Sequence, residues 1–457
     1  MLETKPLNFI DQIVDTDLSE GFSQTALRFR FPPEPNGFLH IGHTKALGVN
    51  FGLAEKFNAP VNLRFDDTNP TKEDQRYVDA IKKDISWMGY SWDKETYSSD
   101  CFDQLYAWAV ELIKSQHAYI DSQNSESIAK QKGTPTSIGE NSPFRNRSIE
   151  DSLLLFESMK SGESNEGEHV LRAKIDMSHP NMLMRDPIIY RVINKPHQRT
   201  KNKWRIYPMY DWAHGQCDYI EQISHSLCSL EFRPHRDLYE WFLTTIKSVC
   251  GPDEFLTTPK QREFARLNLS YTIMSKRKLF SLVEKNHVSG WDDPRMPTIS
   301  GLRRRGYTPD SIKNFISKVG VAKRDNIIDV SLLEFCVRED LNKTATRAMA
   351  VLNPVLLKIV NYPVNREEKM SFVDNPESKK PNSRSLIFNS ELYIEKEDFS
   401  LDPPTGFKRL SIGSEVRLKS GYIIKATDVE LDNLGKLAAI CCEYDPKSLS
   451  GSGSLES

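Results

Sequence analysis

Apolar positions in the first 120 residues recur with two periods in turn. Ala26 to Phe31 (ALRFRF) alternates with a period of two and is rich in aromatic residues, which predicts a strand. Pro32, Pro33 and Pro35 then forbid a helix and Gly37 permits a tight turn. From Gly42 a helix is predicted, with Leu47, Phe51 and Ala54 on one face. Val61 to Asp66 (VNLRFD) predicts a second strand. Helices over about 72–89 and 100–116 follow, carrying Val78, Ile81, Ile85 and Met88 in one stripe and Phe102, Leu105, Ala109 and Leu112 in the other. A strand, a stiff loop and a helix start present free N–H groups and the positive end of a helix dipole, which suits phosphate. Carboxylates at the end of a parallel strand, as in DDTNP, face the ligand crevice of an open α/β sheet. The expected fold of this region is α/β, doubly wound and Rossmann-type.

Beyond about residue 123 the period breaks. SQNSESIAKQKGTPTSIGENSPFRNRS is polar and turn-rich, and a helix over 149–161 precedes strand-like VLRAKIDM and IIYRVI. This reads as a domain inserted between two halves of the nucleotide fold. Arg191, Lys195, Arg199, Lys201, Lys203 and Arg205 concentrate positive charge there, as a solvated face or a nucleic acid contact. Tyr207, Tyr210, Asp211 and His214 crowd one turn after a strand, either as buried aromatic core or as a site. Residues 279–345 read as mostly helical, and from about 346 period two dominates, as in VLLKIV, ELYIEKE and KLAAICCEY, predicting β-barrel structure.

Composition narrows the class. A chain of 457 residues exceeds one ordinary domain, and 38% hydrophobic with 27% charged residues describes a soluble protein with material for several cores. No apolar run approaches a membrane span and the N-terminus lacks a signal-peptide pattern. Seven cysteines without a C-x-x-C predict a reduced, cytoplasmic protein with no structural metal site. A net charge of −2 means that any nucleic acid contact must come from local basic faces.

Two short motifs carry candidate chemistry. His40 and His43 stand at the mouth of the first helix, where imidazoles could donate to phosphate oxygens; alone, such a pair is more often a surface or core feature, or half of a metal site. Met274-Ser275-Lys276-Arg277-Lys278 lies between a strand-like run and a helix, and alone would be a solvated basic patch. The pair RFPPEPNGFLHIGH and MSKRK nevertheless resembles the two signatures of class I aminoacyl-tRNA synthetases, in the version carried by their glutaminyl branch. The resemblance runs from about Leu7 to Tyr444 and includes NLRFDDTNP, LRAKIDM, MRDPIIYR, YPMYDW, HSLCSLEF, GWDDPRMPTISGLRRRGY and REDLNKTATRAMAVLNP.

The resemblance implies ATP-dependent joining of L-glutamine to tRNA(Gln) through a glutaminyl-adenylate. By it, His40, His43 and Lys276 would be catalytic, stabilising the triphosphate together with substrate-bound Mg²⁺. Glu34, Pro35, Asn36, Ile41, Gly42, Thr44, Lys45 and Ala46 would join them around ATP, with Ser229, Arg266, Leu267, Met274 and Ser275 on the other side. Arg30, Asp66, Tyr210, Cys228 and Gln261 would form the glutamine pocket, Asp66 facing the substrate ammonium. Cys228 stands where related glutamyl enzymes carry an arginine, which favours an amide over a carboxylate. Arg347, Lys408, Arg409, Arg417 and Lys419 match basic anticodon-side positions. The domains so implied are the two halves of the catalytic fold (1–122 and 206–270), an inserted acceptor-binding domain (123–205), a signature loop and helical domain (271–345), and an incomplete anticodon-binding barrel (346–457). A monomer is expected.

Two departures stand out. Family members commonly read EFQDNR where this chain has Glu231-Phe232-Arg233-Pro234-His235-Arg236, so Pro234 replaces an aspartate assigned to acceptor-stem contact. The family also continues past Ser457, so a truncated barrel with unpaired strand edges is expected. The rival readings are a glutamyl-tRNA synthetase of the same subclass, a catalytically weak tRNA-binding fragment, and a small-molecule nucleotidylyltransferase.

Overall fold

In the computed structural model, which describes residues 8–251, 257–378 and 381–450, a parallel sheet forms around the fully buried strand Phe29–Phe31. That strand pairs with Val61–Phe65, which pairs in turn with Lys94–Tyr97, all parallel. A second parallel pair, His225–Ser229 with Lys260–Phe264, abuts the first where Ser224 N donates to Arg28 O at 3.0 Å. The doubly wound expectation therefore holds for this region. The helix Ile41–Phe57 begins one residue before the expected Gly42 and ends at Asn58, whose left-handed φ of 47° stops the helix. The helices Gln75–Trp87 and Phe102–Lys114 bury the stripes read from the sequence. Strand Lys94–Tyr97 and helix Phe9–Ser19, the latter burying Ile10 and Val14 at helical spacing, are additional to the expected elements, and helix Ser125–Gln131 sits in the segment read as turns. Asn124 caps it by accepting from Ser127 N at 2.9 Å, and Ile128 alone is buried, so the apolar pattern was too thin to mark it.

A four-stranded antiparallel sheet runs in the order Ala118–Asp121, Val170–Ala173, Ile188–Val192 and Ile206–Pro208. It shares one core with the helices Phe102–Lys114, Ile149–Ser161, Tyr210–Ile220 and Arg236–Cys250, through Phe156, Tyr190, Trp204, Tyr207 and Trp212. The nearby basic run is largely tied to this protein's own groups: Arg199 pairs with Asp100 at 2.6 Å and covers the Tyr97 ring, Lys203 pairs with Asp103 at 2.6 Å, and Lys195 donates to Thr71 O.

The chain divides after Val337 into two compact units. The second is a mixed five-stranded sheet in the order Glu391–Glu395, Pro354–Ile359, Leu437–Tyr444, Ile423–Leu431 and Glu415–Arg417. Two register shifts between Ile423–Leu431 and Leu437–Tyr444 curl it into a half-barrel, accompanied by the hairpin Glu368–Val373 and Ser383–Phe388. A cavity of about 690 Å³ opens inside, walled by Leu357, Met370, Phe388 and Ile424 and rimmed by Lys408, Arg409, Arg417 and Lys419. Arg347 stands apart from that rim and pairs with Glu377 at 2.7 Å.

One buried ionic cluster knits the parallel strands of the first unit together. Asp218 accepts from Arg30 Nε at 3.1 Å, Arg64 Nη1 at 2.8 Å, Ser226 Oγ at 2.6 Å and Tyr239 OH at 3.0 Å. Arg30, Arg64 and Asp218 are all 0% exposed. Burial opposes the charge on Asp218, but the two guanidiniums outweigh it and hold the carboxyl far below its ordinary range. We expect Asp218→Asn to cost about 3–5 kcal/mol in denaturant unfolding, because two buried cations lose their counter-ion. A depressed folded pKa contributes stability that is complete above the unfolded value of 3.8 and is lost as pH falls toward the folded one. The Asn variant should accordingly show a shallower loss of stability between about pH 5 and 3 than the parent protein.

Candidate active site

The loop after Phe31 delivers two imidazoles to the start of the helix Ile41–Phe57. His40 is its N-cap: His40 Nδ1 accepts from Gly42 N at 3.1 Å, and His43 Nδ1 accepts from His40 N at 3.0 Å. This is a capping box built from two histidines instead of Ser and Glu. Both Nδ1 atoms being acceptors, each neutral ring must carry its proton on Nε2. Burial, together with nearby Lys276, lowers His40 to about 4, and burial with the His40 and Lys276 charges takes His43 well below the ordinary value. Two neutral N–H donors thus stand at a helix N-terminus. Gly42 has to be glycine here, since a Cβ would lie 2.8 Å from His40 Cε1.

The second motif meets the first. Lys276 opens the helix Lys276–Glu284, and its Nζ donates to Asn36 Oδ1 at 2.7 Å. Burial lowers the Lys276 ammonium, and Glu34 partly restores it. His40, His43 and Lys276 line one cleft of about 570 Å³, with Glu34, Gly42, Lys45, Ala46, Ser229, Arg266, Leu267, Met274 and Ser275. Pro35, Ile41 and Thr44 are buried beside it and not on its wall. Thr44 Oγ1 donates to Ile41 O at 2.6 Å, a bond within the helix. Glu231 bridges two of the lining groups, accepting from Ser229 Oγ at 2.9 Å and pairing with Arg266 at 3.3 Å.

At the other end of the cleft stand Arg30, Asp66, Tyr210 and Cys228. Asp66 Oδ1 accepts from Arg64 Nε at 3.0 Å and Ser98 Oγ at 3.0 Å; burial nevertheless raises its carboxyl above the ordinary value. Burial likewise pushes the Cys228 thiol up to about 12, so the thiol stays protonated. Arg30 lines the cleft with most of its donors engaged, by Asp218, Leu227 O at 2.8 Å and Ser226 Oγ at 2.7 Å. Gln261 differs from expectation: its amide donates to Phe232 O at 3.1 Å and Glu263 Oε1 at 2.9 Å, and it stands behind the wall. Its parallel strand alternates faces, and the cleft face falls to other residues.

Several lining residues were not assigned to the cleft from the sequence: Asn50, Glu231, Phe232, Phe264 and Asn268; His214, read as either core or site, lines it as well. Asn50 lies four residues after Ala46, so helical spacing could have found it, and the same spacing sets His214 beside Tyr210. Tyr210 stacks on His214 at 4.9 Å and meets Phe232 at 5.3 Å, whereas Tyr207 is core, its OH donating to Lys195 O. The cleft can thus hold a polyanion against donors at one end and a small polar molecule beside Asp66 at the other. By ¹⁵N NMR, His40 and His43 should remain Nε2–H tautomers from pH 8 down to pH 5, with His40 protonating only near pH 4.

Comparison with known proteins agrees with this geometry. Residues 26–343 match the family described as tRNA synthetases class I (E and Q), catalytic domain, and residues 345–445 match its anti-codon binding domain. The glutamine–tRNA ligase of Cronobacter sakazakii is 51% identical over 449 residues, covering 98% of this chain and 80% of that protein. That of Rhodopirellula baltica is 51% identical over 450 residues, covering 98% of this chain and 73% of that one. A solved glutamate tRNA ligase from Elizabethkingia meningosepticum, in complex with its amino acid, shares the fold at TM-score 0.50 and 18% identity, over 69% of this chain and 70% of that one. With both domain families matched and half of all positions shared with such relatives, the chain belongs to the class I tRNA synthetases for glutamate and glutamine.

Proposed function

We propose that this protein ligates L-glutamine to tRNA(Gln) at the expense of ATP. The observation that carries the choice of amino acid is the state of the cleft's two arginines. Arg30 is neutralised by Asp218 in a fully buried pair, and Arg266 pairs with Glu231. Each already has a carboxylate partner, while Cys228 and Tyr210 give an amide a place without a formal charge. Glutamate would be left unpaired there, which favours the glutaminyl reading over the glutamyl one.

In the proposed chemistry, Asp66 and Tyr210 hold the ammonium end of glutamine, Arg30 and Cys228 border its side chain, and Gln261 supports the wall through Phe232. The glutamine carboxylate attacks the α-phosphorus, forming an acyl–phosphate bond and breaking the bond to pyrophosphate. His40 Nε2–H, His43 Nε2–H and Lys276 donate to the triphosphate as charge gathers on the departing pyrophosphate. Mg²⁺ arriving with ATP supplies further charge neutralisation. Glu34 to Asn36, Ile41 to Ala46, Ser229, Arg266, Leu267, Met274 and Ser275 shape the nucleotide end. The terminal ribose 2′-OH of the tRNA then attacks the acyl carbon and AMP leaves. Fixed donors supply this catalysis by position, with no covalent enzyme intermediate.

The domain limits follow the same reading: 1–122 and 206–270 as the catalytic halves, 123–205 as the acceptor-binding insertion, 271–345 as signature loop and helices, and 346–457 as the anticodon side. There Lys408, Arg409, Arg417 and Lys419, with Arg347, are proposed to meet tRNA. The same reading makes the protein a monomer working in the cytoplasm; no helix among the described residues is long and apolar enough to cross a membrane.

The decisive test is charging of tRNA(Gln) with labelled glutamine or glutamate, alongside ATP–pyrophosphate exchange with and without tRNA. Glutamine should be charged and should exchange only when tRNA is present; efficient charging with glutamate would replace this reading by the glutamyl one. Lys276→Ala should lower kcat about 10²–10³-fold, the usual loss for one donor to developing charge. Retention of full rate would remove Lys276 from the mechanism.

A further inference from the structure

We propose that Trp291 is a positioning residue that fixes Lys276 relative to His40 and His43. The inference rests on the proposed role of Lys276 and extends it to a residue outside the cleft. Trp291 stacks on Phe38 with ring centroids 5.3 Å apart and planes 8° from parallel. It also meets Phe280 at 6.2 Å and the edge of Tyr77 at 6.5 Å. Phe38 lies midway between Asn36, which accepts from Lys276, and His40, which caps the first helix. Phe280 lies one helical turn after Lys276, on the same short helix. A single indole therefore touches the first motif and the helix that Lys276 opens.

The backbone around Trp291 is itself fixed. Asp293 accepts from Ser289 N and Arg295 N, both at 2.9 Å, closing the turn that presents the indole. Downstream, Ile41 N donates to Pro297 O at 2.8 Å and Ile299 N to Leu39 O at 2.9 Å, so residues 291–299 are laced to the His40 loop. The helix of Lys276 has much less support: of its residues only Leu279 is buried. Its firm ties toward the histidines are the Lys276–Asn36 hydrogen bond and the Phe280–Trp291 contact. Aromatic rings are stiff and have few rotamers, which suits them to setting a distance.

The test is a double-mutant cycle read by ATP–pyrophosphate exchange in the presence of tRNA. Trp291→Ala should reduce kcat/KM for ATP about 10- to 100-fold, the cost of misplacing a catalytic group by an ångström, while KM for glutamine stays unchanged. Trp291→Phe should recover most of the loss. If Trp291 acts through Lys276, Trp291→Ala combined with Lys276→Ala is no slower than Lys276→Ala alone. Additive losses, or equal rises in KM for ATP and glutamine, would overturn the proposal. If Trp291→Ala does not fold, Phe280→Ala takes its place in the same cycle with the same outcomes, because that ring is 43% exposed and dispensable to the core. Full activity in Lys276→Ala alone would instead overturn the role of Lys276 itself.

Discussion

The pairing of one carboxylate with two guanidiniums, Asp218 with Arg30 and Arg64, is the constraint on which the catalytic unit depends. Arg30 comes from the first strand, Arg64 from the second, and Asp218 from the helix that carries Tyr210. Burying three charges is costly unless each is matched, and here Ser226, Tyr239, Glu221 and Asp66 complete the hydrogen bonding. The geometry that satisfies the charges also sets the register between strands and helix. It leaves Arg30 committed, and so gives the amino-acid end of the cleft an arginine without a free charge.

At the opposite end the economy is different. His40 and His43 are held by backbone N–H groups at Nδ1 and kept neutral by burial, so they present Nε2–H donors whose protonation is insensitive near neutrality. Positive charge comes from Lys276, on a short helix reached through a single hydrogen bond and an aromatic contact. Fixed neutral donors and one adjustable cation suit a reaction in which charge moves along a triphosphate.

The second unit shows how far pattern alone can go. Period-two alternation after residue 346 correctly announces strands, and the curl of the sheet follows from two register shifts that no alternation marks. Arg409, Arg417, Lys408 and Lys419 gather at one cavity rim although the chain separates them into two stretches, while Arg347, of the same residue type, is turned to Glu377.

What the sequence by itself determined is local and chemical: the proline-stiffened loop, the helical stripes of Val78, Ile81 and Ile85, and the two motifs whose residue types suit phosphate. These were legible because periodicity and backbone restriction act over a few residues. Tertiary structure alone decided which of those groups remain available. Gln261 is turned behind the wall by its own strand's alternation, and Arg30 is spent on an aspartate 188 residues away. Phe232 and Asn268 join the cleft from outside the two motifs, and Asn50 from two turns further along the helix that His40 caps. Trp291, far from both motifs in the chain, stands between Phe38 of the first and Phe280 of the helix that Lys276 opens. Long-range pairing of charges and rings depends on how distant segments pack, and no local pattern records that.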